Sequence, residues 1–330
     1  MTGEKVVVTG ATGYIAGIQI QDLLSKGYNV SAIVRNKSNT EKLQHLLQLD
    51  GASDRLTLEE GDLDTADYST IFKDATYIIH TASPYIYTAD DPERDIVQPA
   101  IKGNISVLEA AALIPSIKKI VITSSTAAIF DASKKKDVYT EDDWSDGTSI
   151  AAPYAYSKYL AEKRAHDWIK KRRETNPNLF EVVFINPAFV LGAPLAKHIN
   201  TSIKTFAEAL TGSPQNRRIG VTDVHDVVDI ITYVMETSEN FNLHRKLVAN
   251  EVMTFKELGQ RAASLFPHLE FNTNSTPDSS ATNTLADPHH YIFKSISPIK
   301  LQREPANLNN TLKSTVEYLI ANKHINPTNK

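Results

Sequence analysis

Short apolar runs alternate with longer amphipathic segments along the first half of the chain. The short runs are rich in valine and isoleucine and have the length of buried parallel strands, whereas the longer segments repeat apolar residues at helical spacing. The predicted strands cover residues 5–9, 30–34, 56–59, 77–80, 119–124 and 182–185. The predicted helices cover residues 13–26, 96–114 and 154–175. This alternation predicts an α/β fold, a Rossmann doubly wound parallel sheet that binds its ligand at the carboxyl ends of the strands.

The regular alternation ends after Asn186, where prolines interrupt the pattern and the helical segments become shorter. Residues 271–287 are rich in serine, threonine and asparagine and predict a surface loop. We expect a second, smaller α/β domain that covers the cleft and binds the substrate. The large domain is predicted over residues 1–190, with about 219–240 returning to it, and the smaller one over about 191–218 and 241–330.

The composition narrows the classes of partner. Hydrophobic residues make up 41% of the chain, charged residues 22%, and the net charge is -4, which provides no basic face for nucleic acid or an anionic membrane. The chain has no cysteine, which excludes disulfides, thiolate nucleophiles and cysteine-ligated metals, and we expect no metal. The start of the sequence has no apolar leader and no stretch has the length of a membrane span. We therefore expect a cytoplasmic protein, monomeric or homodimeric, that acts on a small molecule.

Glycines follow the first predicted strand. Gly10 and Gly13 lie between Thr9 and the first helix, with Ala16 one turn further on, in the spacing Gly-x-x-Gly-x-x-Ala. Glycines allow the backbone to approach a pyrophosphate, and the free N–H groups and dipole at a helix N-terminus favour its negative charge. A tight turn alone would also use glycine, but the position between strand and helix favours a dinucleotide site.

The end of the second predicted strand indicates which dinucleotide binds. Many NAD-binding proteins carry an acid about 20 residues after the turn, whereas an arginine accommodates the 2′-phosphate of NADP. Here the strand ends in Arg35, whose guanidinium can grip a phosphate and stack on adenine. We therefore predict NADP(H). Lys37 or Lys42 could add charge, and Asp62, after the third strand, could bind the adenine amino group.

The spacing Tyr-x-x-x-Lys occurs twice, as Tyr154/Lys158 and as Tyr159/Lys163. Residues four apart share one face of a helix, so either pair could place an ammonium beside a phenol. Five positions separate the pairs by about 140° around the helix axis, so only one pair can face a cofactor. Because Tyr154 follows Pro153 at the predicted helix start, we assign chemistry to Tyr154/Lys158 and packing and solvation to Tyr159/Lys163.

Hydroxyl groups stand at the end of the fifth predicted strand, in Thr123-Ser124-Ser125-Thr126. Serines often only form turns there, but with a phenol and an amine they make a carbonyl-reduction site. The serine hydroxyl binds the substrate oxygen, and the phenol of Tyr154 gives that oxygen a proton. An unperturbed phenol has a pKa of about 10, and the nearby ammonium of Lys158 would lower it.

Together these motifs resemble the extended short-chain dehydrogenase/reductases, over nearly the whole chain. The most similar branch contains plant dihydroflavonol reductases and yeast NADPH-dependent methylglyoxal and isovaleraldehyde reductases, which are carbonyl reductases. The stretches that carry the resemblance are Val8-Thr9-Gly10-Ala11-Thr12-Gly13-Tyr14-Ile15-Ala16, His80-Thr81-Ala82-Ser83-Pro84, Thr123-Ser124-Ser125, Tyr154 with Lys158, Asn186-Pro187-Ala188, Asn200-Thr201-Ser202 and Asp223-Val224-His225-Asp226-Val227.

The resemblance implies a role for each matching residue. It makes the second serine of the pair, Ser125, the catalytic one, together with Tyr154 and Lys158. The implied cofactor-binding residues are Gly10, Thr12, Gly13, Tyr14, Ile15, Arg35, Asp62, Leu63, Thr81, Ala82, Pro84, Tyr154, Lys158, Pro187, Val190 and Ser202. The implied borders of the substrate pocket are Tyr85, Thr126 and Phe130, which ordinary packing would explain equally well.

Two positions depart from the pattern of the branch. Some relatives carry a basic residue four positions after the arginine, where this chain has Asn39, so a second phosphate contact must come from elsewhere. Many members carry a structural asparagine in the helix before the Thr-Ser-Ser strand. Asn104 lies nearby, but Gly103 could equally hold that position, and Asn104 is not counted as catalytic.

The leading interpretation is an NADPH-dependent reductase of aldehydes or ketones, with Tyr154 as the general acid. A nucleotide-sugar epimerase or dehydratase that retains NAD would use the same tyrosine and lysine. Arg35 and the apolar or aromatic Tyr85, Ile86, Tyr87 and Phe130 argue against that alternative. A third possibility, a redox sensor that holds NADP without chemistry, has no need of Tyr154 and Lys158.

Overall fold

The computed structural model describes residues 3–62, 67–83, 89–145, 152–212, 217–273, 290–301 and 303–330. The strands are β1 (Lys5–Thr9), β2 (Asn29–Val34), β3 (Leu56–Glu60), β4 (Ala75–His80), β5 (Lys119–Thr123), β6 (Val138–Tyr139), β7 (Glu181–Pro187), β8 (Phe189–Leu191), β9 (Arg218–Asp223), β10 (Arg245–Val248), β11 (Glu251–Thr254), β12 (Leu269–Glu270), β13 (Ile292–Phe293) and β14 (Thr328–Asn329). The α-helices are α1 (Tyr14–Ser25), α2 (Thr40–Leu47), α3 (Ala52–Arg55), α4 (Tyr68–Ile71), α5 (Gln98–Ala111), α6 (Pro153–Thr175), α7 (Thr201–Leu210), α8 (Val224–Glu236), α9 (Phe255–Ser264) and α10 (Leu308–Ala321). A π-helical turn, Glu93–Val97, precedes α5, and two 3₁₀ turns, Thr126–Ala128 and Ala132–Lys134, follow β5.

Seven parallel strands form the large sheet in the described part of the chain, in the order β10-β7-β5-β4-β1-β2-β3. The order reverses between β1 and β4, and in open α/β sheets ligands bind outside the carboxyl ends of the strands at such a point. The predicted doubly wound fold is confirmed, and the six predicted strands agree with the structure to within two residues at either end.

Alternate residues of the strands supply the cores on the two faces of the sheet. Val6 and Val8 of β1 pack with apolar residues of α1 and α8. Val7, which points the other way, packs in a second cluster with residues of α5 and α6 such as Leu108 and Ile169. Because successive side chains of a strand point to opposite faces, continuous valine and isoleucine runs fit a sheet covered by helices on both sides.

The strand β10 was absent from the sequence prediction, which placed residues 241–330 in the smaller domain. It pairs with β7 in parallel, from Arg245 opposite Phe184 to Val248 opposite Pro187. Two of its four residues, Arg245 and Lys246, are charged. Both side chains are buried, and each donates hydrogen bonds to other parts of the chain. Charged residues inside the strand hide its apolar pattern, which is why no strand was predicted there.

A second sheet, in the order β11-β9-β8, lies in the later part of the chain. Helices α7, α9 and α10 contribute to a separate core with apolar residues of this sheet. Unlike these helices, α8 packs against α1, where Gln19 Nε2 donates to Thr232 Oγ1 at 2.8 Å. Helix α8 lies within the range that was predicted to return to the large domain. The exact division of the chain into domains stays a prediction.

Residues 274–289 lie outside the described residues, so the surface loop predicted over 271–287 stays a prediction. Among the helices of the described ranges, none combines the length and apolar character needed to cross a bilayer.

The central strands of the large sheet should dominate its stability. Ile120 of β5 has no exposed surface, so Ile120→Ala removes buried methyl groups and leaves a cavity. We expect this variant to lower the free energy of unfolding by about 2–5 kcal/mol in urea titrations followed by circular dichroism. The control is Leu113→Ala, at a side chain that is 67% exposed, which should change the value by less than about 0.5 kcal/mol. Equal losses in the two variants would contradict this account of the core.

Candidate active site

The glycine turn joins β1 to α1 beside the end of β4. Gly10 has a φ of +66°, and a Cβ there would lie 2.9 Å from the Cα of Ala82. The Gly13 N–H donates to the Gly10 carbonyl at 2.8 Å, and Gly13 is the N-cap of α1. The first turn of α1 carries no acidic residue. The turn therefore presents backbone amides and a helix N-terminus without opposing charge, as an anionic phosphate requires.

The end of β4 is fixed to the same turn. Thr81 Oγ1 donates to the Thr9 carbonyl at 2.6 Å, and the Ala82 N–H donates to Thr9 Oγ1 at 3.2 Å. The same threonine hydroxyl lies 2.8 Å from Nδ1 of His80, which is buried. Burial lowers the pKa of His80 to about 4, and the positive charge of Lys158 acts in the same direction. His80 is therefore neutral near pH 7 and joins the carboxyl ends of β1 and β4.

A cavity of about 370 Å³ opens beside the turn. Thr12, Gly13 and Tyr14 of the predicted cofactor site line it together with Arg35 and Lys42. Lys37 lies elsewhere, since its Nζ is 3.3 Å from Glu59 and its backbone N–H donates to Glu60. Of the two lysines considered as phosphate ligands, Lys42 is the one that shares a cavity with Arg35.

The remaining predicted cofactor residues are distributed around these strand ends. Ile15 follows Tyr14 in the first turn of α1, and Asp62 lies just after β3. Pro187 ends β7, Val190 is buried in β8, and Ser202 is buried in the first turn of α7. The predictions for Leu63, Pro84 and Tyr85 fall outside the described residues.

The first Tyr-x-x-x-Lys pair lies at the start of α6, which begins at Pro153. Lys158 Nζ is 5.6 Å from the centre of the Tyr154 ring and donates to Ser83 Oγ at 2.9 Å. Burial lowers the pKa of Lys158 to about 8, while the carboxylate of Glu162 opposes that shift. An ammonium that is still mostly charged at neutral pH therefore lies beside the phenol and near the end of β4.

The second pair faces a different part of the molecule. The ring of Tyr159 is 6.1 Å from the ring of Trp144, and Lys163 Nζ is 5.5 Å from the same indole. Lys163 is exposed. Tyr159 and Lys163 thus have the packing and solvated roles that the sequence predicted for them.

The two serines after β5 differ in their hydrogen bonds. Ser124 is buried, and its hydroxyl donates to the Glu162 carboxylate. Ser125 is half-buried, and its Oγ accepts from the Ala127 N–H at 3.1 Å, a contact that leaves its O–H to donate elsewhere. These contacts favour Ser125 as the serine that binds substrate.

A buried network behind the site was missed in the sequence analysis. Glu162 is 1% exposed, and its carboxylate accepts from Ser124, from Asn186 Nδ2 at 2.9 Å and from Arg245 Nε at 2.5 Å. Asn186 also donates to the Ser125 carbonyl at 3.2 Å. Glu162 follows Lys158 by four residues, as Lys158 follows Tyr154, so continuing that helical face by one more turn could have identified it.

Arg245, the other charged residue of the buried network, contacts several segments of the chain. Its guanidinium donates to the carbonyls of Glu141, Asp143 and Ala128, and it lies 3.8 Å from the centre of the Trp144 ring. A buried ion pair needs such additional partners to offset the loss of hydration. Arg245 therefore ties β10 to the segment that follows β5.

Asn104 lies on the buried face of α5 and not among the serine, tyrosine and lysine. Its Nδ2 donates to the Ala161 carbonyl at 3.2 Å, and its hydrogen bond to His80 opposes the fall in that histidine's pKa. Asn104 thus links α5 to α6 behind the site, next to the buried Gly103.

Aromatic residues adjoin the predicted substrate side. Phe130 stacks on Tyr291 with a ring separation of 4.5 Å and lies 5.0 Å from Tyr139. Phe293 packs with both tyrosines. Thr126 begins the 3₁₀ turn that leads from Ser125 toward this cluster. Tyr291 and Phe293 come from a distant part of the chain, which the sequence analysis did not connect with the site.

Comparisons with known proteins identify relatives of this chain. The model of the NAD dependent epimerase/dehydratase family matches residues 6–247. Cinnamoyl-CoA reductase CAD2 of Medicago truncatula is 31% identical over 333 residues, which are 98% of each protein. Dihydroflavonol 4-reductase of Hordeum vulgare is 30% identical and aligns with 72% of this chain and 70% of its own length.

Two solved structures of reductases with bound NADPH are also similar to this chain. Yeast methylglyoxal/isovaleraldehyde reductase Gre2, complexed with NADPH, has a TM-score of 0.78 and 26% identity, with 97% of this chain and all (100%) of that chain covered. Gre2 of Candida albicans in complex with NADPH has a TM-score of 0.79 and 29% identity, over 97% and 99% of the two chains.

The glycine turn offers a direct test of the candidate dinucleotide site. Gly10→Ala puts a Cβ in a left-handed conformation and against the backbone of Ala82, so it should destabilise the protein by about 1–3 kcal/mol in urea titrations and weaken dinucleotide binding. The control is Gly17→Ala, because a Cβ at Gly17 would approach nothing closer than 3.7 Å and the residue is inside α1. An alanine there should be neutral or stabilising by up to about 1 kcal/mol. A Gly10→Ala variant as stable as the Gly17→Ala variant would contradict the account of the turn.

Proposed function

Because the chain belongs to the NAD dependent epimerase/dehydratase family and, within the extended short-chain dehydrogenase/reductases, to the relatives of dihydroflavonol and cinnamoyl-CoA reductases, we propose that it reduces a small aldehyde or ketone to an alcohol with NADPH. The observation that carries this proposal is the buried Lys158 ammonium beside the Tyr154 ring at the carboxyl ends of the large sheet. A phenol beside an ammonium is a proton donor suited to a carbonyl oxygen.

The cofactor is NADP(H), and the residues at the glycine turn fit it. Gly10 and Gly13 keep side chains away from the backbone amides at the start of α1. Arg35 and Gly13 line the same cavity beside the turn. The bound nicotinamide supplies the hydride that reduces the carbonyl carbon. Lys158 would also bind the hydroxyl groups of the nicotinamide ribose.

Tyr154 is the proton donor of the proposed reaction. Its phenol gives a proton to the carbonyl oxygen, and the Lys158 ammonium stabilises the phenolate that remains. The Ser125 hydroxyl donates a hydrogen bond to the same oxygen and orients it. Ser124 cannot take this part, because its hydroxyl donates to Glu162. Thr126 and Phe130 border the substrate, and the aromatic cluster around Tyr139 and Tyr291 favours an apolar group next to the carbonyl.

A nucleotide-sugar epimerase that retains NAD is the alternative within the same family. Such an enzyme would use Tyr154 and Lys158 as well, so these two residues do not separate the hypotheses. Arg35 beside the glycine turn favours NADP(H). Purified protein that contained tightly bound NAD and consumed no NADPH with any carbonyl compound would favour the epimerase. A non-catalytic sensor would likewise consume none, but it would bind NADP reversibly.

The proposal is tested by NADPH oxidation with methylglyoxal, isovaleraldehyde, diketones, aryl ketones, β-ketoesters and dihydroflavonols. On the best of these substrates, Tyr154→Phe should lower kcat by about 100-fold to 10,000-fold because the proton donor is lost. Tyr159→Phe, on the same helix but beside Trp144, is the matched control and should retain wild-type turnover. NADPH binding by each variant, followed by fluorescence, shows that the site is intact. Full turnover by Tyr154→Phe would refute the proposed acid.

The pH dependence provides a second test, through Lys158. Its pKa of about 8 means that the ammonium is present below that pH and is lost as the pH rises through it, so kcat/KM for reduction should fall above about pH 8. Because the Glu162 carboxylate raises the pKa of Lys158, Glu162→Gln should move this fall to a lower pH. Glu174→Gln, at an exposed position of the same helix, should leave the profile unchanged. A profile of Glu162→Gln that matches the wild type would contradict the coupling.

A further inference from the structure

The cavity beside the glycine turn has a second wall that comes from the later part of the chain. The loop of residues 192–200, between β8 and α7, contributes Pro194, Leu195, Ala196, His198 and Asn200. His198 of this loop faces His45 of α2, with 6.1 Å between the ring centres and an angle of 79° between the ring planes. Both rings line the same cavity as Arg35.

The loop that carries His198 is held in position by α10 and α1. Tyr318 OH donates to the Ala196 carbonyl at 2.5 Å, and His324 Nε2 lies 3.0 Å from the Lys197 carbonyl. At the start of the loop, the Gly192 carbonyl accepts from Tyr14 OH at 2.8 Å. His198 therefore follows directly on a backbone segment that is hydrogen-bonded to α1, to α10 and to His324 just after α10.

Basic side chains line this cavity. They are Arg35 and Lys42, with the imidazoles of His45 and His198, and no aspartate or glutamate occurs among its lining residues in the described part of the chain. Further titratable groups are Tyr14 in the wall, with Asp223 near enough to act on its phenol, and Tyr318 and His324 behind the loop. Cationic donors that converge without a carboxylate suit a phosphate group, which has several acceptor oxygens.

Asn39, which stands where some relatives carry a basic residue, has a structural role in this chain. Asn39 is the N-cap of α2, where its Oδ1 accepts from the Lys42 N–H at 3.2 Å. The Lys37 ammonium lies near Glu59. Neither residue therefore supplies the second phosphate contact, and α2 presents Lys42 and His45 to the cavity instead.

We propose that His45 and His198, with Lys42, complete the site of the cofactor's 2′-phosphate beside Arg35, so that the loop between β8 and α7 takes part in the choice of NADPH over NADH. This proposal rests on NADP(H) as the cofactor and not on which carbonyl compound is reduced. We assign the histidines to the 2′-phosphate because Arg35, whose guanidinium accommodates that group, lines the cavity together with both imidazoles. Thr12, Gly13 and Tyr14 of the glycine turn line it too, so the comparison of NADPH with NADH below separates the 2′-phosphate from the pyrophosphate.

The histidines give this site a dependence on pH. Burial and the neighbouring His198 lower the pKa of His45. A dianionic phosphate beside the two rings would favour the protonated form of His45 and raise its pKa. Binding of NADPH should therefore take up protons and should become tighter, relative to histidine-free variants, as the pH falls from 8.5 to 6.5. The phosphate remains largely dianionic over that range, since its second pKa is about 6.

The experiment measures Kd for NADPH and for NADH by fluorescence titration at pH 6.5 and 8.5, without any carbonyl substrate. His45→Asn and His198→Asn should each weaken NADPH binding about tenfold at pH 6.5, as for the loss of one charge-assisted hydrogen bond, and less at pH 8.5. NADH binding should change by less than about twofold, which also shows that the variants are folded. His268→Asn, at an exposed histidine outside the cavity, is the matched control.

Two outcomes would overturn the proposal. Equal NADPH affinity of His45→Asn, His198→Asn and His268→Asn at pH 6.5 would remove the histidines from the site. Equal losses for NADPH and NADH would assign them to the pyrophosphate or to the loop itself, and not to the 2′-phosphate. Because the titration needs no turnover, a failure of the proposed reductase activity would leave these results unaffected and is distinguishable from them.

Discussion

The buried carboxylate of Glu162 is the constraint on which the candidate site depends. A charge that is 1% exposed persists only where hydrogen bonds replace its hydration, and here Ser124, Asn186 and Arg245 provide them. These partners belong to the turn after β5, to β7 and to β10, while Glu162 itself belongs to α6. One carboxylate thus fixes the relative positions of the strand end that carries Ser125 and the helix that carries Tyr154 and Lys158.

The same arrangement explains why neighbouring residues of similar chemistry have different roles. Ser124 and Ser125 are adjacent hydroxyls, but the first is committed to the carboxylate. Two Tyr-x-x-x-Lys pairs occupy one helix, but the carboxylate of Glu162 acts on the Lys158 ammonium of the first, while the second packs on Trp144. Residue type alone does not separate these alternatives, whereas helical geometry and burial do.

The sequence was sufficient for the fold and for the residues that follow a local pattern. Strands such as β1 and β5 are continuous apolar runs, and the glycine turn, Arg35 and Tyr154 follow elements whose ends are easy to locate. The strand β10 was missed because Arg245 and Lys246 break its apolar pattern and are stabilised only by distant partners. Glu162 was missed because the cation that compensates it, Arg245, is separated from it by 83 residues in sequence. The contact of Phe130 with Tyr291 is equally long-range, so no local pattern could have revealed the aromatic cluster beside Phe130.

Helix α10 illustrates how a segment without site residues can still govern recognition. Its Tyr318 hydroxyl and the following His324 hold the backbone of the loop at Ala196 and Lys197, and its Thr315 hydroxyl accepts from the Gly192 N–H at the start of that loop. On the proposed assignment, substitutions near the end of the chain alter cofactor preference without touching the nucleotide. Natural variation or laboratory evolution that exchanges NADPH for NADH therefore has a route through the packing of the last helix, remote from Arg35 and from the glycine turn.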